Sequence, residues 1–207
     1  MNFDRIAPHY RWLETVAFGG QLQQARVAFL GETETPRRVL VVGEGDGRFL
    51  AEFLSIYPGA AVDCIESSGK MIALARRRGA KAVRFIQNDI RQAALPVAHY
   101  DLVVTHFVLD CFGRDDLRIV IAKLVRAATE DASWLLADFR EPVGGCARRH
   151  AKLWLRLMYT FFRITSGLEA DRLIDPSQFL EEKGFTRKAR RLTHCEMITS
   201  EWWQRSA

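Results

Sequence analysis

The stretch VLVVGEGDGRFL, residues 39–50, decides the fold. It begins inside Arg38-Val39-Leu40-Val41-Val42, a continuous β-branched and apolar run of the kind a strand needs when both of its faces are buried. It ends in Phe49-Leu50-Ala51-Glu52-Phe53-Leu54, which reads as a helix stopped by Tyr57-Pro58-Gly59. Between them lies Gly43-Glu44-Gly45-Asp46-Gly47, a strand-to-helix turn in which glycine lets the backbone bend sharply and lets a ligand approach the main chain.

Outward from this turn the same alternation repeats. Ala61–Ile65 predicts a second strand and Lys70–Arg76 a second helix, closed by Gly79. Ala82–Ile86 and Tyr100–Thr105 predict the third and fourth strands, Leu117–Ala127 a third helix, and Trp134–Asp138 the fifth strand. Strands alternating with helices at this spacing build βαβ units and a parallel sheet covered on both faces. Residues 3–30 read as helical, with Ile6, Trp12, Leu13, Val16 and Phe18 available to pack on the sheet. Residues 147–165 predict a long helix, Pro176–Lys183 a short one, and Phe185–Leu192 with Glu196–Trp202 a terminal pair of strands. The expected organisation is one domain over 1–207: a helical cap over 1–35, a core over 36–139, and a lid helix with C-terminal strands over 140–207.

Composition agrees with a globular protein. The chain has 207 residues, 48% apolar and 27% charged, which is enough to build a core without disulfides or metal. No apolar run reaches the roughly 18–20 residues of a membrane span, and the start MNFDRIAPHYRW has no signal-peptide core, so the expected location is the cytoplasm. Cys64, Cys111, Cys146 and Cys195 are widely separated and form no CxxC pair, and they read as reduced, packed side chains. His150 and His194 make no metal-ligand spacing, so no metal is expected. The net charge of +5 lies wholly in residues 140–207, which hold 13 basic and 8 acidic side chains against 17 of each before them. Nucleic-acid enzymes show a more continuous basic stripe, so no nucleic-acid partner is expected.

The glycine spacing narrows the ligand. Gly43, Gly45 and Gly47 give GxGxG, whereas the dinucleotide fingerprint is GxGxxG, and no GK[ST] follows to hold phosphates. A ligand with little or no phosphate charge is favoured. Glu66 stands at the end of the second strand, 19 residues after Gly47, where a carboxylate can accept both hydroxyls of a ribose. Asn88-Asp89-Ile90 follows the third strand, where an acid can accept from the exocyclic amine of an adenine with Ile90 against the ring.

These pieces together resemble the core of a class I S-adenosylmethionine-dependent methyltransferase. The similarity is carried by VLVVGEGDGRFL (39–50), DCIESSGKMIALARRR (63–78) and QNDIRQAALPVAHYDLVVTHFVLDCF (87–112). FDRIAPHYRWLE (3–14) resembles the N-terminal helix of the small-molecule branch, which includes ubiquinone/menaquinone-type enzymes. The resemblance implies a Rossmann-like seven-stranded sheet, mostly parallel with an antiparallel last strand, helices on both faces, and S-adenosylmethionine bound across the strand ends. It implies that Gly43, Glu44 and Gly45 line the methionine and ribose part of the cofactor, that Glu66 takes the ribose hydroxyls with Ser67 and Met71 flanking, and that Asp89 and Ile90 hold the adenine. Thr105 and His106 would face the methionine part and the acceptor, and Tyr10 would close over the cofactor. Val41 departs from the family pattern, which often has an acid there.

Methyl transfer from a sulfonium is a direct displacement that needs alignment and exclusion of water rather than a nucleophile. A base helps an acceptor that arrives protonated; His106 and Asp110 are the candidates, with Asp138 ending the fifth strand and His9 a weaker choice. Thr105-His106-Phe107-Val108 lacks the Asn-Pro-Pro-aromatic motif of amino methylation. In the helix over 147–165, Arg149, Lys152, Arg156 and Arg163 fall on one side and Ala151, Trp154, Leu155, Met158 and Phe162 on another, which suits an apolar acceptor's lid and permits contact with a membrane surface. The reading is a methyltransferase acting on a small, aromatic or quinone-like apolar acceptor. Its rivals are an RNA or protein methyltransferase, suggested by pI ≈ 9.2 and Arg187-Lys188-Ala189-Arg190-Arg191, a nicotinamide oxidoreductase, and a non-catalytic S-adenosylmethionine-binding protein. The sequence carries no signal of oligomeric state.

Overall fold

A computed structural model describes residues 18–142 and 173–205. Seven strands form one sheet: β1 (Arg38–Val42), β2 (Ala61–Glu66), β3 (Arg84–Gln87), β4 (Tyr100–His106), β5 (Ala128–Phe139), β6 (Phe185–Thr193) and β7 (Ile198–Arg205). Their order across the sheet is β3-β2-β1-β4-β5-β7-β6. The pairings among β1 to β5 are parallel, and β7 runs antiparallel to both β5 and β6. The expected sheet, with an antiparallel last strand, is therefore the observed one. The chain reverses its direction of travel across the sheet at β1, between β2 and β4, and ligands of open α/β sheets bind at such a switch point.

The helices are α1 (Gln21–Val27), α2 (Arg48–Ile56), α3 (Gly69–Arg77), α4 (Arg114–Ala127) and α5 (Ser177–Glu181). Strand alternation sorts the core between the two faces of the sheet. Val39, Val41, Val62, Cys64, Leu102 and Val104 pack with Phe49, Leu50 and Phe53 of α2 and Ala75 of α3. Leu40, Val42, Ile65, Val103, Trp134 and Trp203 pack on the other face with Leu117, Val120, Ile121 and Leu124 of α4. Each fully buried apolar side chain of this kind contributes about 1.5–3 kcal/mol. The Trp134 indole is satisfied by Thr105 Oγ1 at 2.8 Å.

Three of the boundaries that differ from the sequence reading do so for a clear local reason. β3 starts at Arg84 because Ala80–Ala82 form a 3-10 turn after Gly79, which takes φ 113°. β5 starts at Ala128, directly after α4; its polar Thr129, Glu130 and Asp131 conceal that the backbone is already extended there. β7 starts at Ile198, two residues late, because His194, Cys195 and Glu196 all take left-handed φ values in the hairpin turn, where neither glycine nor proline marks it. Of the helix expected over 3–30, the described part is α1; its earlier residues lie outside the described ones.

Gly47 joins the glycine turn to the helix layer. It has φ +86°, and a Cβ there would lie 2.5 Å from Ala75 Cα in α3. Gly45 has φ +72° but would meet nothing within 4 Å. Gly47→Ala should therefore lower the free energy of unfolding by about 2–5 kcal/mol, combining left-handed strain with overpacking, whereas Gly45→Ala should cost about 1–2 kcal/mol of strain alone. Urea denaturation of the two variants checks this ranking.

Candidate functional site

The carboxyl ends of β1, β2 and β4, with the loop after β3, surround a cleft. Gly43 leaves β1 still bonded to β2, its N–H donating to Ile65 O at 2.9 Å. The backbone then turns so that Gly45 borders the cleft, with open space where a side chain would stand. Opposite lies Glu66, at the last position of β2 and 6% exposed. Gly45 N–H donates to one of its carboxylate oxygens at 3.1 Å, and Ser68 N–H to the other at 2.9 Å. An ionised carboxylate has about four acceptor sites, so two main-chain donors leave capacity for a diol in the cleft. Burial pushes the Glu66 pKa above its ordinary value, against the pull of the hydrogen bonds from Ser68, Gly45 and Ser67. Ser67 and Met71 complete this wall.

Asn88, Asp89 and Ile90 close the side next to β3. Their loop is firmly tied. Asp89 takes the Arg91 guanidinium through both oxygens, Arg91 also reaches Asp116 of α4 at 2.8 Å, and Lys123 Nζ donates to the carbonyls of Ile90 and Ala93 at 3.0 and 3.1 Å. The bonds to Arg91 hold the Asp89 pKa below the ordinary value, so it is an anion. Ile90 lies 4% exposed against the core.

The structure thus brings Gly43, Gly45, Glu66, Ser67, Met71, Asp89 and Ile90 to one cleft, and puts Glu44, Thr105, His106 and Asp110 outside its lining. Glu44 turns under the loop, where it accepts from Leu50 N–H of α2 at 3.1 Å. Burial, only partly offset by that bond and by Arg26, pushes its pKa up to about 8. Thr105 is spent on Trp134. The His106 ring is edge-on to Phe49 at 4.7 Å, its buried Nδ1 has no hydrogen-bond partner, and burial together with Arg26 holds it neutral. Phe107, Val108, Cys111 and Phe112 stand in the cleft where Thr105 and His106 were expected. Phe107 makes the change: it takes φ 54° as its N–H donates to Ala137 O at 2.7 Å, and the chain leaves the strand one residue beyond the predicted position. No glycine or proline marks that turn, so it carries no local signal.

Asp110 N–H donates to Asp138 Oδ2 at 3.1 Å, and the two carboxyl groups are buried side by side. Burial and the neighbouring Asp110 charge push Asp138 well above the usual carboxylate range, as like charges sharing a site require. Asp138 also lines a second, polar cavity of about 390 Å³ beside Arg140, Arg190 and Glu201. This pair therefore lies between two cavities, with Cys111 in the wall of the first. Tyr10, His9 and the helix expected over 147–165 lie outside the described residues. Among the described residues no cluster of acids, histidines and cysteines could hold a metal, and no helix is long and apolar enough to cross a membrane.

Comparison with known proteins shows what this chain is similar to. Residues 39–131 match the model of a methyltransferase domain. The chain is 28% identical over 148 residues to demethylmenaquinone methyltransferase of Thermus thermophilus, covering 69% of this chain and 66% of that protein. It is 27% identical over 177 residues to trans-aconitate 2-methyltransferase of Mycolicibacterium gilvum, covering 82% of this chain and 66% of that protein. The chain thus spans just under two thirds of the length of both curated relatives. Among solved structures, 1,6-didemethyltoxoflavin-N1-methyltransferase of Burkholderia thailandensis, with bound 1,6-didemethyltoxoflavin and S-adenosylhomocysteine, has a TM-score of 0.68 at 16% identity, covering 99% of this chain and 84% of that one. The fold is that of the Rossmann-like methyltransferases, the matched domain is a methyltransferase domain, and the chain is similar to the class I S-adenosylmethionine-dependent enzymes.

The Glu44 environment gives a pH signature. Its folded pKa is raised from 4.5 to about 8, so the fold favours the protonated form and loses stability as pH rises through that interval. Glu44→Gln keeps an acceptor for Leu50 N–H without the charge. It should be nearly neutral at pH 4 and should stabilise the protein by about 2–4 kcal/mol at pH 8, measured by denaturant titration at both values. Equal effects at the two pH values would contradict the assignment.

Proposed function

We propose that this protein transfers the methyl group of S-adenosylmethionine to a small, apolar, aromatic or quinone-like acceptor by direct displacement. The observation that carries the cofactor half is the Glu66 carboxylate at the end of β2, held by Gly45 N–H and Ser68 N–H and facing the space beside Gly45. The cofactor, when bound, supplies a methyl group already activated on sulfonium. In this reading Glu66 takes the ribose hydroxyls between Ser67 and Met71, Asp89 accepts from the adenine amine with Ile90 against the ring, and the backbone at Gly43 and Gly45 lies along the remainder. Phe107 and Val108, the latter against Gly43, are the apolar wall that excludes water there.

The small size of the acceptor draws its support from the relatives, which are named for small molecules of three unlike kinds (demethylmenaquinone, trans-aconitate and a didemethyltoxoflavin), and its apolar character from the apolar residues of the cleft. For an acceptor that arrives protonated, Asp110 and His106 are the candidate bases, and both lie outside the lining of the cleft. His106 is neutral, buried and aimed at Phe49, which suits a wall better than a proton carrier. Residues 147–165, expected from the sequence to be helical, are proposed as cover for the acceptor, with their basic side chains suited to an anionic membrane surface.

Glu66→Ala should weaken S-adenosylhomocysteine binding by about 1.5–3 kcal/mol, because two hydroxyls lose a charged acceptor, and calorimetry reads this directly. Gly45→Val should abolish binding while the chain stays folded, since its side chain fills open cleft. Incubation with methyl-labelled S-adenosylmethionine and a panel of catechols, hydroquinones, RNA and protein should label the small aromatic compounds. Label confined to RNA or protein would overturn the acceptor assignment.

A further inference from the structure

Arg26 is a buried cation with no place in the site described so far. It lies in the last turn of α1 and is 7% exposed. Its guanidinium carbon sits 5.1 Å from the centroid of the Phe107 ring, the distance of a cation–π contact. Phe107 in turn lines the cleft, so one residue of α1 touches a ring that helps to form it.

Both partners are fixed from behind. Leu22 and Ala25 pack α1 onto Ala137 and Ile198, and Ser200 Oγ donates to Ala25 O at 2.9 Å. Gln23 Nε2 donates to Glu52 Oε1 of α2 at 2.6 Å. Phe107 is pinned by its N–H to Ala137 O, and its ring packs on Phe139 at 5.1 Å. Phe139 packs on Phe18, just before α1, at 5.3 Å. Phe107 also holds a left-handed backbone, which a bulky side chain adopts only when its surroundings enforce it. The guanidinium and the Phe139 ring are what the structure provides to enforce the side-chain position. Glu44, in the glycine turn itself, is close enough to Arg26 to feel its charge, so the same cation also bears on the loop.

We propose that Arg26 is a positioning residue for the cofactor cleft, acting through the ring of Phe107. The proposal rests on the reading of that cleft as the S-adenosylmethionine site. A guanidinium stacked on a ring does two things that packing alone does not: it sets the ring plane, and it does so with a charge that lysine retains in part and methionine lacks.

The test is a double-mutant cycle read by calorimetric titration with S-adenosylhomocysteine, with melting curves taken on every variant. Arg26→Met should raise Kd about tenfold, and Phe107→Ala by at least as much, for a contact of the size such pairs make when desolvated. Arg26→Met with Phe107→Ala should bind no more weakly than Phe107→Ala alone, because the first change acts through the second residue. Arg26→Lys should stay within about threefold of the unmodified protein, since it keeps the charge over the ring. If Arg26→Met does not fold, the same cycle is run with Arg26→Gln. Losses that multiply in the double variant would overturn the proposal by making Arg26 a support of the fold alone, as would Arg26→Met binding unchanged. Unmodified protein that does not bind S-adenosylhomocysteine would instead overturn the cofactor reading, a result the melting curves and mutants do not imitate.

Discussion

A buried carboxylate must be satisfied where it stands, and Glu66 organises the binding end of the sheet on that condition. Removed from water at the end of β2, it would cost several kcal/mol if left unpaired. Gly45 N–H, from the turn after β1, and Ser68 N–H, at the N-cap of α3, supply donors from two different segments. The glycine turn and the start of α3 are thereby fixed relative to one another by one side chain. What remains of its acceptor capacity faces the cleft. The same residue therefore closes the structure locally and leaves a polar site open to a diol.

The glycines around it do different work, which explains why their spacing matters more than their number. Gly45 leaves space for a ligand, and Gly47 leaves space for α3, which approaches it at Ala75 more closely than any side chain would permit. Beyond the turn, α2 sinks Phe49, Leu50 and Phe53 into one face of the sheet, and Glu44 caps the approach by bonding Leu50 N–H. The loop after β3 is braced separately, by Arg91 and Lys123 reaching between it and α4. Two independent braces therefore hold the two sides of one cleft. A ligand bound between them meets a surface that is already formed, which limits the entropy lost on binding.

Most of the fold could be read from residues 38–139 because each element there announces itself: β-branched runs for strands, 3.6-residue apolar spacing for helices, glycine and proline at the turns. The candidate residues that the structure brings to one cleft include those whose proposed chemistry depends on residue type, Glu66, Asp89, Gly43 and Gly45. Glu44, Thr105, His106 and Asp110 could not be placed from sequence, because which way a strand-end side chain points depends on where the strand stops. At β4 that is decided by Phe107, an aromatic residue in a left-handed conformation that no local signal predicts. The same kind of unmarked left-handed run, at His194 to Glu196, shifted the start of β7. Arg26 is a further case: a charged residue in a helix reads as solvated until the structure shows it buried over a ring.

The claim on which the rest depends is that this cleft holds an adenosyl sulfonium compound and not a dinucleotide. Parallel calorimetric titrations of the unmodified protein with S-adenosylhomocysteine and with NAD test it most directly. The GxGxG turn, the Glu66 carboxylate and the absence of a phosphate-binding GK[ST] triplet predict saturable one-to-one binding of S-adenosylhomocysteine and no heat from NAD at the same concentrations. Saturable binding of NAD with none of S-adenosylhomocysteine would contradict the account.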